Sequence, residues 1–319
     1  MHEASNPTLG SAWKQTRGIE YPTEVILQAT NAALCAAALY AVGRDFRAAS
    51  SYLMLHGFIA CASYMLARLD QLGQLTGRRL WLVSLLRDYA PPLVIIAFFF
   101  EIGALIPTLR ACEARCYDKA LLDIDLALFG DVDAGVIHIG TRWLSDVLMV
   151  CYVAYYPLIA IVPVVLYLQG RIDDFRRAEA IIMMGFVLTY LGYFLVPAVG
   201  PYLVIAGPRA AVLDGFGFAA NAHSLLSAVP REPPDAFPSG HALMGIIGPA
   251  LAWRFYRPLF AWMAPIGVGI VLATVYLRYH YIIDVVASFV VAPTAWALGE
   301  SIHRYVVRVS ALDRKSIPA

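Results

Sequence analysis

Charge is what this 319-residue chain has least of: Asp, Glu, Lys and Arg make up 15% of it, and hydrophobic residues 60%. Soluble domains run nearer ~25% charged, and a single core could not bury so much apolar surface, so an ordinary soluble domain is excluded. Neither sign of charge is in excess, the net being +1, which points to no polyelectrolyte partner. There is no glycine-rich nucleotide loop, no nucleic-acid motif, no repeat of fixed period and no low-complexity linker. Cysteine is sparse too, with five residues and no disulfide framework. Cys35, Cys61 and Cys151 fall within apolar runs and read as small packing residues. Cys112 and Cys116 lie four apart, as helix neighbours or as a pair that an oxidising compartment would join. The first two dozen residues contain no apolar h-region, so no cleaved signal peptide is expected.

What is present is a series of apolar runs of the ~20 residues a helix needs to cross a bilayer. They lie near 24–43, 49–69, 89–109, 144–168, 178–199, 239–256, 259–278 and 281–303. The reading is an all-α, polytopic integral membrane bundle of about eight spans, with Pro91-Pro92 and Pro197 at helix ends. Counting from an inside N-terminus, fifteen of the 24 basic residues fall on one side, among them Lys14, Arg17, Arg78, Arg79, Arg171, Arg176, Arg177 and Arg314. The positive-inside rule then puts both termini in the cytoplasm and the loops 110–143 and 200–238 outside. The arginines of "GRIDDFRRAE" need no role beyond that signal. Short loops and the lack of targeting tails favour a bacterial inner membrane over a eukaryotic endomembrane.

The outward loop "ACEARCYDKALLDIDLALFGDVDAG" (Ala111 to Gly135) carries leucines at helical spacing and reads as an amphipathic segment on the membrane surface. The second, Pro197 to Asp235, is rich in glycine and proline, and long loops of this kind are uncommon unless they do something. It leads into "DAFPSGHALMG" (Asp235 to Gly245). Pro-Ser-Gly before an apolar run is first of all a helix cap, but a cap needs no histidine. Farther on, "LRYHYIIDVVAS" (Leu277 to Ser288) places His280 and Asp284 four apart, on one helix face. A carboxylate there can accept the imidazole Nδ1–H and leave Nε2 as a free lone pair, which prepares a nucleophile or base. Ionisable groups inside spans are costly and usually functional.

One complete span separates the two motifs, so both open on the same outward side and His241 can face His280. The turn at Ser239, Gly240 and His241 offers free N–H groups and a helix N-terminus, a ready phosphate site. Together they fit phosphoryl transfer. His280 would attack phosphorus with Asp284 orienting it, the N–H groups near Ser239 and Gly240 would hold the oxygens, and His241 would protonate the leaving group.

"PSGH" followed about forty residues later by "HxxxD" resembles the type 2 phosphatidic acid phosphatase superfamily over roughly Tyr117 to Arg308. The resemblance implies that His241 is the acid, and that His280 is the nucleophile paired with Asp284. It further implies a six-helix catalytic core within residues 111–308. Ahead of that core come a polar N-terminus (1–23) and N-terminal helices (24–110), with a tail (309–319) behind it. A lipid substrate in the bilayer, phosphatase or phosphotransferase activity, and no cofactor are expected on the same ground. "YDKALLDIDLALFG", "YFLVPAVGPYL" and the "HYxxD" form of the last motif are similar to the inositol phosphorylceramide synthase-like branch. Against the ordinary phosphatases, the Ser-Arg ahead of the nucleophile is replaced by Ala273 and Thr274, and no Lys-x6-Arg-Pro motif stands upstream. Arg278, or Arg209 and Arg231 in the outward loop, would then supply the positive charge. Sphingolipid and inositol phosphotransferases that resemble this chain also lack that arginine, which favours transfer between lipids over hydrolysis.

Other readings stay open. Two histidines and an aspartate could hold zinc, although no fourth donor lies near. A transporter or structural protein could keep the bundle without turnover. Glu101 is an acid within a span, functional or else protonated and hydrogen-bonded to a neighbouring helix. His56 reads as a packed residue, and His138 and His223 as solvated loop residues. Tyr152, Tyr155, Tyr156, Tyr190 and Tyr193 read as interface anchors and packing. Tyr193 and Tyr202 are the tyrosines nearest the site.

Overall fold

The computed structural model describes residues 21–41, 46–71, 77–109, 117–131, 135, 140–205, 211–226 and 234–316. Among them are twelve helices and no strand. The first three are α1 (Pro22–Ala41), α2 (Phe46–Gln71) and α3 (Gly77–Leu109). They are followed by α4 (Asp118–Phe129), α5 (Arg142–Val153), α6 (Tyr155–Leu168) and α7 (Ile172–Leu195). Two short helices, α8 (Pro201–Val204) and α9 (Phe218–Leu226), precede the last three, α10 (Gly240–Phe255), α11 (Arg257–Tyr276) and α12 (Ile282–Ser316). Six helices are long and apolar enough to cross a membrane, or seven if α5 and α6, bent by 40°, form one span. The remaining expected span is α10, which has 16 residues.

Two helix starts differ from the sequence expectation. Helix α3 begins at Gly77, so Pro91 and Pro92 sit in its interior. Proline is tolerated inside membrane helices because neighbouring groups re-satisfy the freed backbone carbonyls. Helix α7 begins at Ile172, where Asp173 and Asp174 in its first turn complement the positive end of the helix dipole. The residues Arg209, Arg231, His138, Cys112 and Cys116, and the N-terminal Lys14 and Arg17, lie outside the described residues. Of the other cysteines, Cys35 and Cys151 are half-buried and Cys61 is exposed, all as free thiols.

The chain divides into two compact units. One comprises the described residues of Met1–Phe98, Ile161–Met184 and Trp296–Ala319; the other those of Phe99–Ala160 and Gly185–Ala295. The first is tied together by charge. Arg87 clamps Glu24 through Nε and Nη2 at 2.7 and 2.8 Å. Arg176 donates to Asp88 Oδ1 at 3.2 Å through both Nε and Nη2, and the Tyr21 ring carries both guanidinium groups, 3.9 and 3.7 Å from its centre. Arg177 donates to Glu300 at 2.8 Å, and His303 Nε2 lies 3.1 Å from Asp173. The arginines of "GRIDDFRRAE" thus have a structural role besides their topological one. Removing a cation from low dielectric without its partner would leave an uncompensated buried anion. His56 is a packed residue as expected, its Nδ1 being 2.7 Å from Asn31 Oδ1.

Asp88 is 1% exposed, so Arg176→Met should destabilise the protein by about 3–5 kcal/mol. Thermal unfolding in detergent checks this, and the double variant with Asp88→Leu should recover most of the loss.

Candidate functional site

All of the following lies within the second unit. Helix α10 begins as a capped helix should: Ser239 is extended and its Oγ accepts the Ala242 N–H at 3.2 Å, while its carbonyl accepts Leu243 N–H at 2.9 Å. The N–H groups of Gly240 and His241 have no acceptor among the described residues.

The two motifs are joined directly. Ser239 N–H donates to the Asp284 carbonyl at 3.2 Å, and the Ser288 hydroxyl donates to the Ser239 carbonyl at 2.8 Å. His280 Nδ1 lies 2.8 Å from the Ala236 carbonyl. A carbonyl only accepts, so Nδ1 carries the proton and Nε2 keeps its lone pair. The expected tautomer is therefore present, but a different group holds it. Asp284 Oδ2 is 3.6 Å from His280 Nδ1, beyond hydrogen-bond length, and accepts Tyr281 N–H at 2.8 Å instead. This happens because His280 precedes the helix rather than lying on its face. With α12 starting at Ile282, Asp284 occupies the third helical position and reaches back to the capping residue, as acidic side chains there do. Asp284 is fully buried, and its Oδ1 has no hydrogen-bond partner. It acts on His280 through charge at short range.

The imidazoles of His241 and His280 face each other with ring centres 6.3 Å apart. His241 lies between two tyrosine rings, stacked on Tyr152 at 4.1 Å and 11° and against Tyr155 at 4.1 Å and 32°. Its Nε2 is buried without a hydrogen-bond partner. Tyr152 and Tyr155 are thus more than packing residues, because they set the plane of His241. Tyr152 lies in the last turn of α5 and Tyr155 opens α6, and side chains three apart on a helical path are neighbours that can reach one ring.

The segment expected at the membrane surface has another use. Asp118 and Asp125 are buried on α4. Asp125 accepts Ile282 and Ile283 N–H at 2.7 and 2.9 Å, capping α12 beneath His280. Asp118 accepts Val199 and Gly200 N–H at 3.0 and 2.9 Å and the Tyr281 hydroxyl at 3.0 Å. Burial pushes the Asp125 carboxyl above the usual range, against the pull of the two N–H groups. Burial, and then Asp118, likewise raise the Tyr281 phenol. The spacing of seven, two helical turns, was the signal that these aspartates share a face.

Arg278 has φ +65°, the left-handed region where a helix C-terminus usually carries glycine. An arginine there costs about 1–2 kcal/mol of backbone strain. Arg278 is buried and lines a cavity of about 240 Å³ together with Asp125, Pro201, Val275, His280 and Tyr281. Gly200 supports this loop: its φ is +94°, and a Cβ there would stand 2.3 Å from the Tyr279 carbonyl oxygen. Asp235, at the head of the first motif, is also drawn in. Burial pushes its carboxyl up to about 6, and the nearby His280 pulls the other way.

His223 is not solvated as expected. It is buried and hydrogen-bonded through Nδ1 to the Tyr279 hydroxyl at 2.5 Å, with Tyr202 edge-on to its ring. Glu101 is likewise buried. Among the described residues, no group of three or more His, Cys, Asp or Glu side chains is arranged to hold a metal ion.

A helical membrane bundle with paired histidines at the mouths of two helices defines a class, and the comparisons with known proteins agree with it. The sequence profile of the PAP2 superfamily matches residues 119–298, more than half of the chain, and the protein belongs to that superfamily. It is also similar to a PA-phosphatase related-family protein of Dictyostelium discoideum, 29% identical over 109 residues, which is 30% of this chain and 19% of that protein. The match thus spans about a fifth of the relative's length. No solved structure matches the chain. Membership supports a function of the lipid-phosphatase type.

Asp125→Ala should orphan two N–H groups under the site, costing about 1–3 kcal/mol each at most, with a loss of turnover larger than the loss of stability. Paired melting and activity measurements on the variant read both. As pH falls through about 6, Asp235 takes up a proton and the negative charge beside His280 disappears. Activity should therefore drop across that range. Asp235→Asn should be less active at pH 8 and flatter between pH 5 and 7, as pH–rate profiles would record.

Proposed function

We propose that the protein is a membrane-embedded lipid phosphatase or phosphotransferase that works through phospho-His280. One observation carries the reading: two imidazoles face each other at 6.3 Å, one with Nδ1–H committed to a carbonyl, the other with an unpartnered Nε2. In the first step the His280 Nε2 lone pair forms a bond to phosphorus and the bond from phosphorus to the leaving lipid oxygen breaks. His241, holding a proton in the field of the anionic phosphate group, passes it to that oxygen. In the second step the acceptor hydroxyl gives its proton to His241, its oxygen bonds to phosphorus, and the N–P bond breaks. With a phosphate monoester as donor, water as acceptor yields inorganic phosphate. With a phosphodiester as donor, the phosphoryl group keeps its second ester, and a lipid or polyol hydroxyl as acceptor yields a new phosphodiester. Asp284, buried 3.6 Å from His280, offsets the positive charge that builds on the ring.

Gly240 holds the phosphate oxygens through its N–H at the α10 N-terminus. Ser239 adds only its hydroxyl, because its own N–H is taken by the Asp284 carbonyl, and Arg278 supplies positive charge from the cavity wall. Arg209 belongs to the same proposal from the outward loop. The absence of the phosphatase-type Ser-Arg ahead of His280 and of the Lys-x6-Arg-Pro motif supports transfer, in the manner of the inositol phosphorylceramide synthase-like branch. Residues 111–308 are read as the catalytic domain. Helices α10 and α12 both open at the site with α11 between them, which supports a site on the outer face with both termini cytoplasmic. Lys and Arg placement supports the same orientation, in a bacterial inner membrane.

Purified protein is to be incubated with phosphatidic acid, and separately with a phospholipid plus ceramide, diacylglycerol or inositol. Free phosphate marks a hydrolase and a new phospholipid a transferase; the absence of both would mean another substrate, or the transporter or structural reading. His280→Ala should abolish turnover and His241→Ala should lower it by about 10²–10⁴-fold. Full activity in either variant would sink the mechanism.

A further inference from the structure

The Ser-Arg and Lys-x6-Arg-Pro cations of the ordinary phosphatases are missing from this sequence, and the structure offers a donor besides Arg278. Tyr193 lies on α7, 5% exposed, and its hydroxyl has no hydrogen-bond partner among the described residues. It sits against the first residue of α10: a Cβ at Gly240 would stand 3.0 Å from Tyr193 Oη. Helix α7 is held there by close contact, because a Cβ at Gly192 would come within 2.1 Å of Pro238 Cδ. The Tyr193 hydroxyl thus stands beside the residue that opens α10, where the N–H groups of Gly240 and His241 lack acceptors among the described residues. His241 Nε2 and Asp284 Oδ1 are also buried nearby without partners.

We propose that Tyr193 is a phosphate-binding residue whose hydroxyl donates to a non-bridging oxygen and completes an anion hole with the Gly240 and His241 N–H groups. A neutral phenol suits this place better than a second guanidinium. Asp235 lies within electrostatic range of Tyr193, and a cation there would pair with that carboxylate instead of the substrate. A hydroxyl pre-aimed in a water-poor site strengthens as charge gathers on the oxygen, at no cost of reorganisation. Gly240 bears on the same hydroxyl: a Cβ there would stand 3.0 Å from Tyr193 Oη and crowd it by a few tenths of an ångström.

The inference rests on the proposed phosphoryl chemistry but is tested apart from it, with inorganic phosphate as the probe and thermal unfolding in detergent as the readout. Phosphate should stabilise the wild type. Tyr193→Phe, which removes only the hydroxyl, should melt at the same temperature without phosphate and bind it about 10–100-fold more weakly. Tyr190→Phe, three residues earlier on α7, should bind phosphate as the wild type does. If Tyr193→Phe unfolds too early to be read, Gly240→Ala interrogates the same hydroxyl by crowding it, with a weakening in the same direction expected. Phosphate binding equal to the wild type in either variant overturns the proposal, as does a wild type that does not respond to phosphate. Intact phosphate binding with no lipid turnover would leave this hole standing and remove the enzymatic reading alone.

Discussion

The hydrogen bonds between the turn before α10 and the start of α12 are what the rest of the site depends on. Ser239 N–H reaches the Asp284 carbonyl, Ser288 reaches back to the Ser239 carbonyl, and His280 donates to Ala236. Backbone groups at helix ends must find partners, and within a membrane protein there is little water to supply them. These two segments, about forty residues apart in sequence, satisfy one another. Fixing His280 and placing it opposite His241 are consequences of that mutual capping.

The same economy of partners governs the surroundings. Asp125 caps the α12 N-terminus from outside, Asp284 caps it from within, and Asp118 closes the loop at Val199 and Gly200. Three carboxylates thus serve backbone N–H groups in a region that carries few charges. Such networks are stabilising only when complete, since an unpaired member in low dielectric is costly. In the other unit the arginine–carboxylate pairs around Tyr21 follow the same rule.

Much of this was legible along the chain. Apolar runs of bilayer length marked the helices, and Ser239 was readable as a cap because capping depends on neighbours within one turn. The facing of His241 and His280 followed from counting one span between them. Apart from two helix starts, what was misread at the site involved a partner distant in sequence. His280 was paired with Asp284 on spacing alone, whereas the carbonyl of Ala236, 44 positions away, holds its proton. The acidic segment looked only like an amphipathic membrane-surface helix because the N–H groups that bury Asp118 and Asp125 belong to residues far downstream. Tyr152 and Tyr155 looked like interface residues because nothing local links them to His241.

The sequence alone therefore determined the class of fold, the helices that build it, and the family to which residues 119–298 belong. Hydrophobic length, helix capping and motif spacing are local quantities. Only the tertiary structure decided which group holds the His280 tautomer, which rings enclose His241, and that an arginine occupies a left-handed position at 278. These are choices among hydrogen-bond and packing partners brought together from separate helices, and such partners are defined only once the chain has folded.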